Sequence, residues 1–154
     1  MMNIEQPNTF NAWANFADKG DIKSAIEAYV SWYGDVTFGE LVDVLENCCA
    51  ISIRGACVIS EANNSNLILW DDVSKEFAQA ISELFQSKTL RADITNEIQY
   101  FSGGYGLDLP IADTINPTEP MWLPVSISAT AQPGWEISSF SKKAPIEINI
   151  LKTK

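Results

Sequence analysis

Three stretches of this chain repeat apolar residues at the pitch of a helix, while the segments between and after them carry short apolar runs or repeat apolar residues every second position. That change of period is incompatible with an all-helical bundle or an all-strand sandwich and points to an α+β fold. In the first stretch Ile22, Ala25, Ile26, Tyr29, Val30 and Tyr33 share one helical face. Asp21 stands at the N-cap and Gly34 where a C-terminus favours glycine, so a helix is expected over 21–33. Next, Thr37 and Glu40 have capping-box spacing. Phe38, Leu41, Val42, Leu45 and Cys48 form the apolar stripe of an expected helix 38–48, with Glu40, Asp43 and Glu46 on its outer side. Ser74 precedes the third stripe, Phe77, Ala80, Ile81, Leu84 and Phe85, and Lys88 suits the negative end of a helix over 75–87.

The remaining segments read as strands. Ala56–Ser60 and Leu67–Trp70 flank a polar tip at 61–66, which predicts a hairpin. Leu90, Ala92 and Ile94 alternate with polar residues, as do Ile98 and Tyr100, which predicts a second hairpin, 90–95 with 98–102. From 107 onward prolines recur (Pro110, Pro117, Pro120, Pro124, Pro133, Pro145). Val125 and Ile127, then Ile146, Ile148 and Ile150, suggest two late strands packing back on the core. The expected organisation is a leader or short helix over 1–19, carrying Phe10, Trp13 and Phe16, then an α+β core over 20–104. A Pro-rich extension over 105–154 completes it, all within a single domain. At 154 residues such a chain buries enough surface to need no disulfide or metal staple.

The absence of histidine removes the commonest general base and the usual zinc ligand. Cys48, Cys49 and Cys57 have neither the even count of a disulfide framework nor zinc-site spacing, and are expected as small core residues. No metal or cofactor is therefore expected, and no enzyme. Asp71-Asp72 before the Ser74 helix is the one carboxylate pair that could bind a cation or act as acid and base, although acids near a helix start also suit the dipole. Gly103-Gly104-Tyr105-Gly106 lacks the lysine and hydroxyl residue of a phosphate loop and reads as a turn. Trp122 and Trp135 are either binding anchors or pins that hold the tail on the core.

Charge is the strongest functional signal. Residues 1–120 hold 18 acids and 6 bases, within a formal net charge of −10 for the whole chain. Phosphate backbones are repelled by such a surface, which argues against nucleic acid as a partner. Met1–Pro7 has no basic and apolar signal pattern and the apolar runs are strand-sized, so a cytoplasmic location without membrane insertion is expected.

The order of helix 21–33, short link, helix 38–48, helix 75–87 and hairpin 90–102 resembles the winged helix-turn-helix arrangement over residues 20–104. The resemblance implies a third helix able to enter a DNA groove, with the hairpin as wing. Here residues 50–70 are inserted between the second and third helices. The third helix carries Lys75 and Lys88 against Glu76 and Glu83, and the wing sets Arg91 against Asp93 and Glu97. Those balanced charges favour a protein-binding use of the arrangement. The leading expectation is a regulatory or inhibitory module, of the kind that small acidic inhibitors and DNA mimics represent, whose acidic face (Glu40, Asp43, Glu46, with Asp71 and Asp72) docks a basic protein, anchored by Trp122 or Trp135. A winged-helix transcription regulator and a small carboxylate enzyme using Asp71, Asp72 and a tyrosine are the alternatives, and homo-oligomerisation is left open.

Overall fold

The computed structural model describes residues 12–49, 52–130 and 148–152. Helices α1 (Ala12–Asp18) and α2 (Ile22–Tyr33) are followed by strand β1 (Val36–Thr37) and helix α3 (Phe38–Cys48). Strands β2 (Arg54–Glu61) and β3 (Leu67–Val73) then lead into helix α4 (Lys75–Gln86). Strand β4 (Leu90–Ile94), helix α5 (Glu97–Ser102), and strands β5 (Met121–Trp122), β6 (Val125–Ala129) and β7 (Ile148–Lys152) complete the order. The α+β class expected from the change of period is borne out.

The three long helices start on the caps their sequence supplies. Asp21 Oδ1 accepts the N–H of Ser24 at 3.2 Å, Thr37 Oγ1 that of Glu40 at 3.1 Å, and Ser74 Oγ that of Phe77 at 3.0 Å. Each cap satisfies a helical donor that has no partner within the helix, a contribution of about 1 kcal/mol. Gly34, at φ 68°, closes α2 by donating its N–H to Val30 O at 2.8 Å. The apolar stripes point inward as their spacing requires: Ile26 and Val30 of α2, Phe38, Leu41 and Leu45 of α3, and Phe77, Ile81 and Leu84 of α4 are all buried.

Two sheets share this core. The first has order β1-β6-β4, antiparallel throughout, with Val36 opposite Ile127 and Ala92 opposite Ile127 on its other side. The second has order β5-β3-β2-β7, with β5 parallel to β3 and the other pairs antiparallel. The first expected hairpin forms between β2 and β3, with Ile59 opposite Trp70. Because β6 is the central strand of its sheet, the Pro-rich part up to residue 130 completes the core instead of decorating it.

The second expected hairpin is corrected. Residues 97–102 are helical, and β4 pairs with β6, with Leu90 opposite Ala129 and Ile94 opposite Val125. The side chain of Asn96 accepts the N–H groups of Ile98 and Gln99 and starts a helix where the Ile98–Tyr100 alternation suggested a strand. The two side chains part company: Tyr100 is buried and Ile98 is 65% exposed. The segment that the winged-helix resemblance assigned to a wing is thus a strand followed by a short helix.

One smaller expectation changes in part. Cys57 is buried in the core and the half-buried Cys49 packs against it, whereas Cys48 is exposed. In the leader, Trp13 packs edge-on against Tyr29 with ring centroids 5.1 Å apart, Phe16 is on the surface, and Phe10 lies outside the described residues. Of the two late strands, β6 forms as expected and β7 begins at Ile148, Ile146 lying outside the described residues.

Candidate interaction surface

The outer side of α3 carries the three acids whose spacing marks them out. Glu46 is neutralised locally: Arg54 Nε donates to its Oε1 at 2.7 Å. The other two meet tyrosines. Tyr29 donates its hydroxyl to Glu40 Oε2 at 2.6 Å, and Tyr105 donates its hydroxyl to Asp43 Oδ2 at 3.1 Å. A phenol satisfies one lone pair of a carboxylate and leaves its charge intact. Burial, then the bonded Glu40, push the Tyr29 phenol above the usual tyrosine range. Burial, then Asp43, raise that of Tyr105. Both phenols therefore remain protonated donors.

Tyr105 reaches α3 through missing side chains. A Cβ placed on Gly39 would fall 2.6 Å from Tyr105 Cβ and Cγ, and one on Gly103 would fall 2.8 Å from Cε2. The glycine-rich turn after α5 is thus a seat for an aromatic ring against α3. Around it, Gln99 Nε2 donates to Asp35 O at 2.9 Å, Ser128 Oγ donates to Asp35 Oδ1 at 3.0 Å, and Phe38 N–H donates to the Tyr100 hydroxyl at 3.2 Å.

These contacts join two stretches of chain that contain no Lys or Arg. Between Lys23 and Arg54 stand five acids (Glu27, Asp35, Glu40, Asp43, Glu46) and no base. Between Arg91 and Thr130 stand another five (Asp93, Glu97, Asp108, Asp113, Glu119) and again no base. Of the basic side chains, Arg54 meets Glu46 on α3, Lys23 pairs with Glu83 of α4 at 3.4 Å, Lys75 opens α4, and Lys88 follows it. Arg91 is buried and pairs with Asp93.

The remaining candidates go elsewhere. Asp71 and Asp72 close β3 at a bulge where Arg54 and Cys57 both oppose Val73, with Asp72 at φ 57°. Burial, then the neighbouring Asp72, raise the carboxyl of Asp71, and no tyrosine hydroxyl among the described residues bonds to either acid. They are not joined to Glu40 and Asp43. Trp122 is corrected from anchor to pin: it is 0% exposed, edge-on to Tyr100 at 5.0 Å and to Trp70 at 6.2 Å. A ring enclosed in this way is unavailable to a partner. Trp135 lies outside the described residues. Sequence reasoning missed Tyr29 and Tyr105, which act from other elements, and the outward pair Ile98 and Phe101, whose i, i+3 spacing after the Asn96 cap was the available signal.

Among the described residues no group of three or more Cys, Asp or Glu side chains is placed to share a metal ion, and no helix is long and apolar enough to cross a membrane. No protein-family model matches the chain, nor does any curated protein or solved structure.

Proposed function

We propose that this chain is a non-catalytic protein-interaction module, regulatory or inhibitory in role, that presents an acidic face to a basic protein partner. The observation that supports the reading is the convergence of two base-free, acid-bearing stretches on α3, where Glu40 and Asp43 are held by tyrosines instead of cations. Carboxylates fixed by neutral donors keep their charge and lose some freedom, which lowers the ordering cost when a cation arrives. The field of such a face also speeds encounter with a positive surface.

The test uses a lysine homopolymer as probe. Replacing Glu40→Gln together with Asp43→Asn removes two charges from the face, while Asp72→Asn with Glu76→Gln removes two from elsewhere. The first pair should weaken binding about fivefold, and the second pair much less. Binding should fall as salt screens the surface. Equal weakening by both pairs would mean that net charge alone, and no particular face, attracts the probe.

A further inference from the structure

Helix α5 turns only one large apolar side chain inward. Tyr100 is buried, its hydroxyl donating to Val125 O at 2.6 Å, whereas Ile98 is 65% and Phe101 57% exposed. Ile94, at the end of β4 and just before the Asn96 cap, is 54% exposed. Ile98 and Phe101 stand at i, i+3 and share one helical face. Phe101 is braced from behind, its ring 6.0 Å from Trp122 and its Cε1 3.0 Å from where a Cβ on Gly106 would stand. It is therefore a held side chain, not a loose one. Three large apolar side chains are thus exposed within eight residues of chain, and an apolar patch is what marks a contact surface.

The turn after α5 leads from these residues to the acidic helix, with Tyr105 N–H donating to Tyr100 O at 3.1 Å. Glu97 precedes Ile98 directly, and Tyr105, three residues beyond the end of α5, bonds Asp43 and lies within the field of Glu40. An apolar centre with a charged rim is the usual anatomy of a protein-binding patch. Here the rim carries one sign. A second copy of this chain would bring acid against acid, and nucleic acid would bring phosphate against acid.

We infer that the ridge Ile94–Ile98–Phe101 and the carboxylates of Glu97, Asp43 and Glu40 form one docking surface for a basic amphipathic protein segment. The apolar side chains of that segment cover the ridge while its Lys or Arg residues reach the acids. The inference rests on the reading above and adds to it the apolar half of the partner's chemistry.

Ile98→Glu separates the two ideas, because it removes apolar surface and adds an acid. The probes are a synthetic helical peptide of lysine and leucine with one apolar face, a scrambled peptide of the same composition, and a lysine homopolymer. The wild-type chain should prefer the amphipathic peptide to the scrambled one. The variant should lose about tenfold for the amphipathic peptide while holding or gaining affinity for the homopolymer. Tighter binding of all three probes by the variant would overturn the inference and leave the acidic-face reading standing. Indifference of homopolymer binding to Glu40→Gln with Asp43→Asn would instead overturn the acidic-face reading. Sedimentation of the wild-type chain as a dimer that Ile98→Glu dissolves would identify a second copy as the occupant, which also overturns the inference. Phe101→Ser, with an unchanged circular dichroism spectrum, supplies a second variant expected to weaken the amphipathic peptide alone.

Discussion

Tyr105 and Asp43 stand 62 residues apart in sequence and 3.1 Å apart between hydroxyl and carboxylate oxygen. The pairing depends on Tyr105 packing where α3 has no side chain, at Gly39. This contact fastens the turn after α5 onto the acidic helix.

Gly39→Ala tests that fastening. In an ordinary helix interior the change stabilises by about 1 kcal/mol. Here the added carbon falls 2.6 Å from Tyr105 Cβ and Cγ, the root of the ring and not its flexible end. The net outcome should be a loss of about 1–2 kcal/mol in urea unfolding. Gly39→Ala combined with Tyr105→Ala should recover part of it. A stabilised single variant would show that the ring does not occupy the space above Gly39.

The second prediction concerns Tyr100, whose hydroxyl donates to Val125 O at 2.6 Å and accepts from Phe38 N–H at 3.2 Å. It ties α5, the central strand β6 and the start of α3 together with one oxygen. Tyr100→Phe leaves a buried carbonyl and a buried N–H without that partner, at a cost of about 1–3 kcal/mol. Denaturant unfolding should show the midpoint falling with an unchanged slope, since the ring still fills its place. A variant as stable as the wild-type chain would mean that neither group depends on the hydroxyl.

The long helices were legible because their information is local. A cap, an apolar stripe and a terminator within a dozen residues sufficed for α2, α3 and α4. Helix α5 was not legible as a helix. It spans Glu97–Ser102, buries one side chain, and its Ile98–Tyr100 alternation copies a strand. The partner of β4 was illegible for another reason: Leu90 pairs with Ala129, and nothing near β4 specifies so distant a strand. The acids of α3 could be read from spacing, but not the tyrosines that hold them or the convergence of two base-free stretches. Trp122 could be read as anchor or pin, because the residues beside a tryptophan do not reveal whether the fold will enclose it.

Asp71 gives a pH prediction of definite sign. Burial and then Asp72 raise its carboxyl above the ordinary value of 3.8, so the fold favours its neutral form. Its favourable contribution is complete below 3.8 and is lost as pH rises through the raised folded value. At neutral pH the ionised carboxylate therefore costs stability. Asp71→Asn should raise the melting temperature at neutral pH, and the gain should vanish in acid below 3.8. A gain of the same size at both pH values would assign the effect to packing instead of titration.

Alkaline pH should act on the tyrosines from the other direction. The phenols of Tyr29, Tyr100 and Tyr105 all lie above the ordinary value of 10.0, chiefly through burial, with Glu40 and Asp43 adding to the first and last. The folded chain holds these protons more tightly than the unfolded one. Their contribution is therefore complete below 10.0 and is lost as pH rises from there toward the folded values. Unfolding should begin above pH 10.0, with the tyrosine absorbance change coinciding with loss of circular dichroism instead of preceding it. Tyr29→Phe removes one titrating group along with its bond to Glu40. It should lower stability at neutral pH and flatten the alkaline decline. A variant whose decline above pH 10.0 parallels that of the wild-type chain would show that Tyr29 ionises without consulting Glu40 or the core around it.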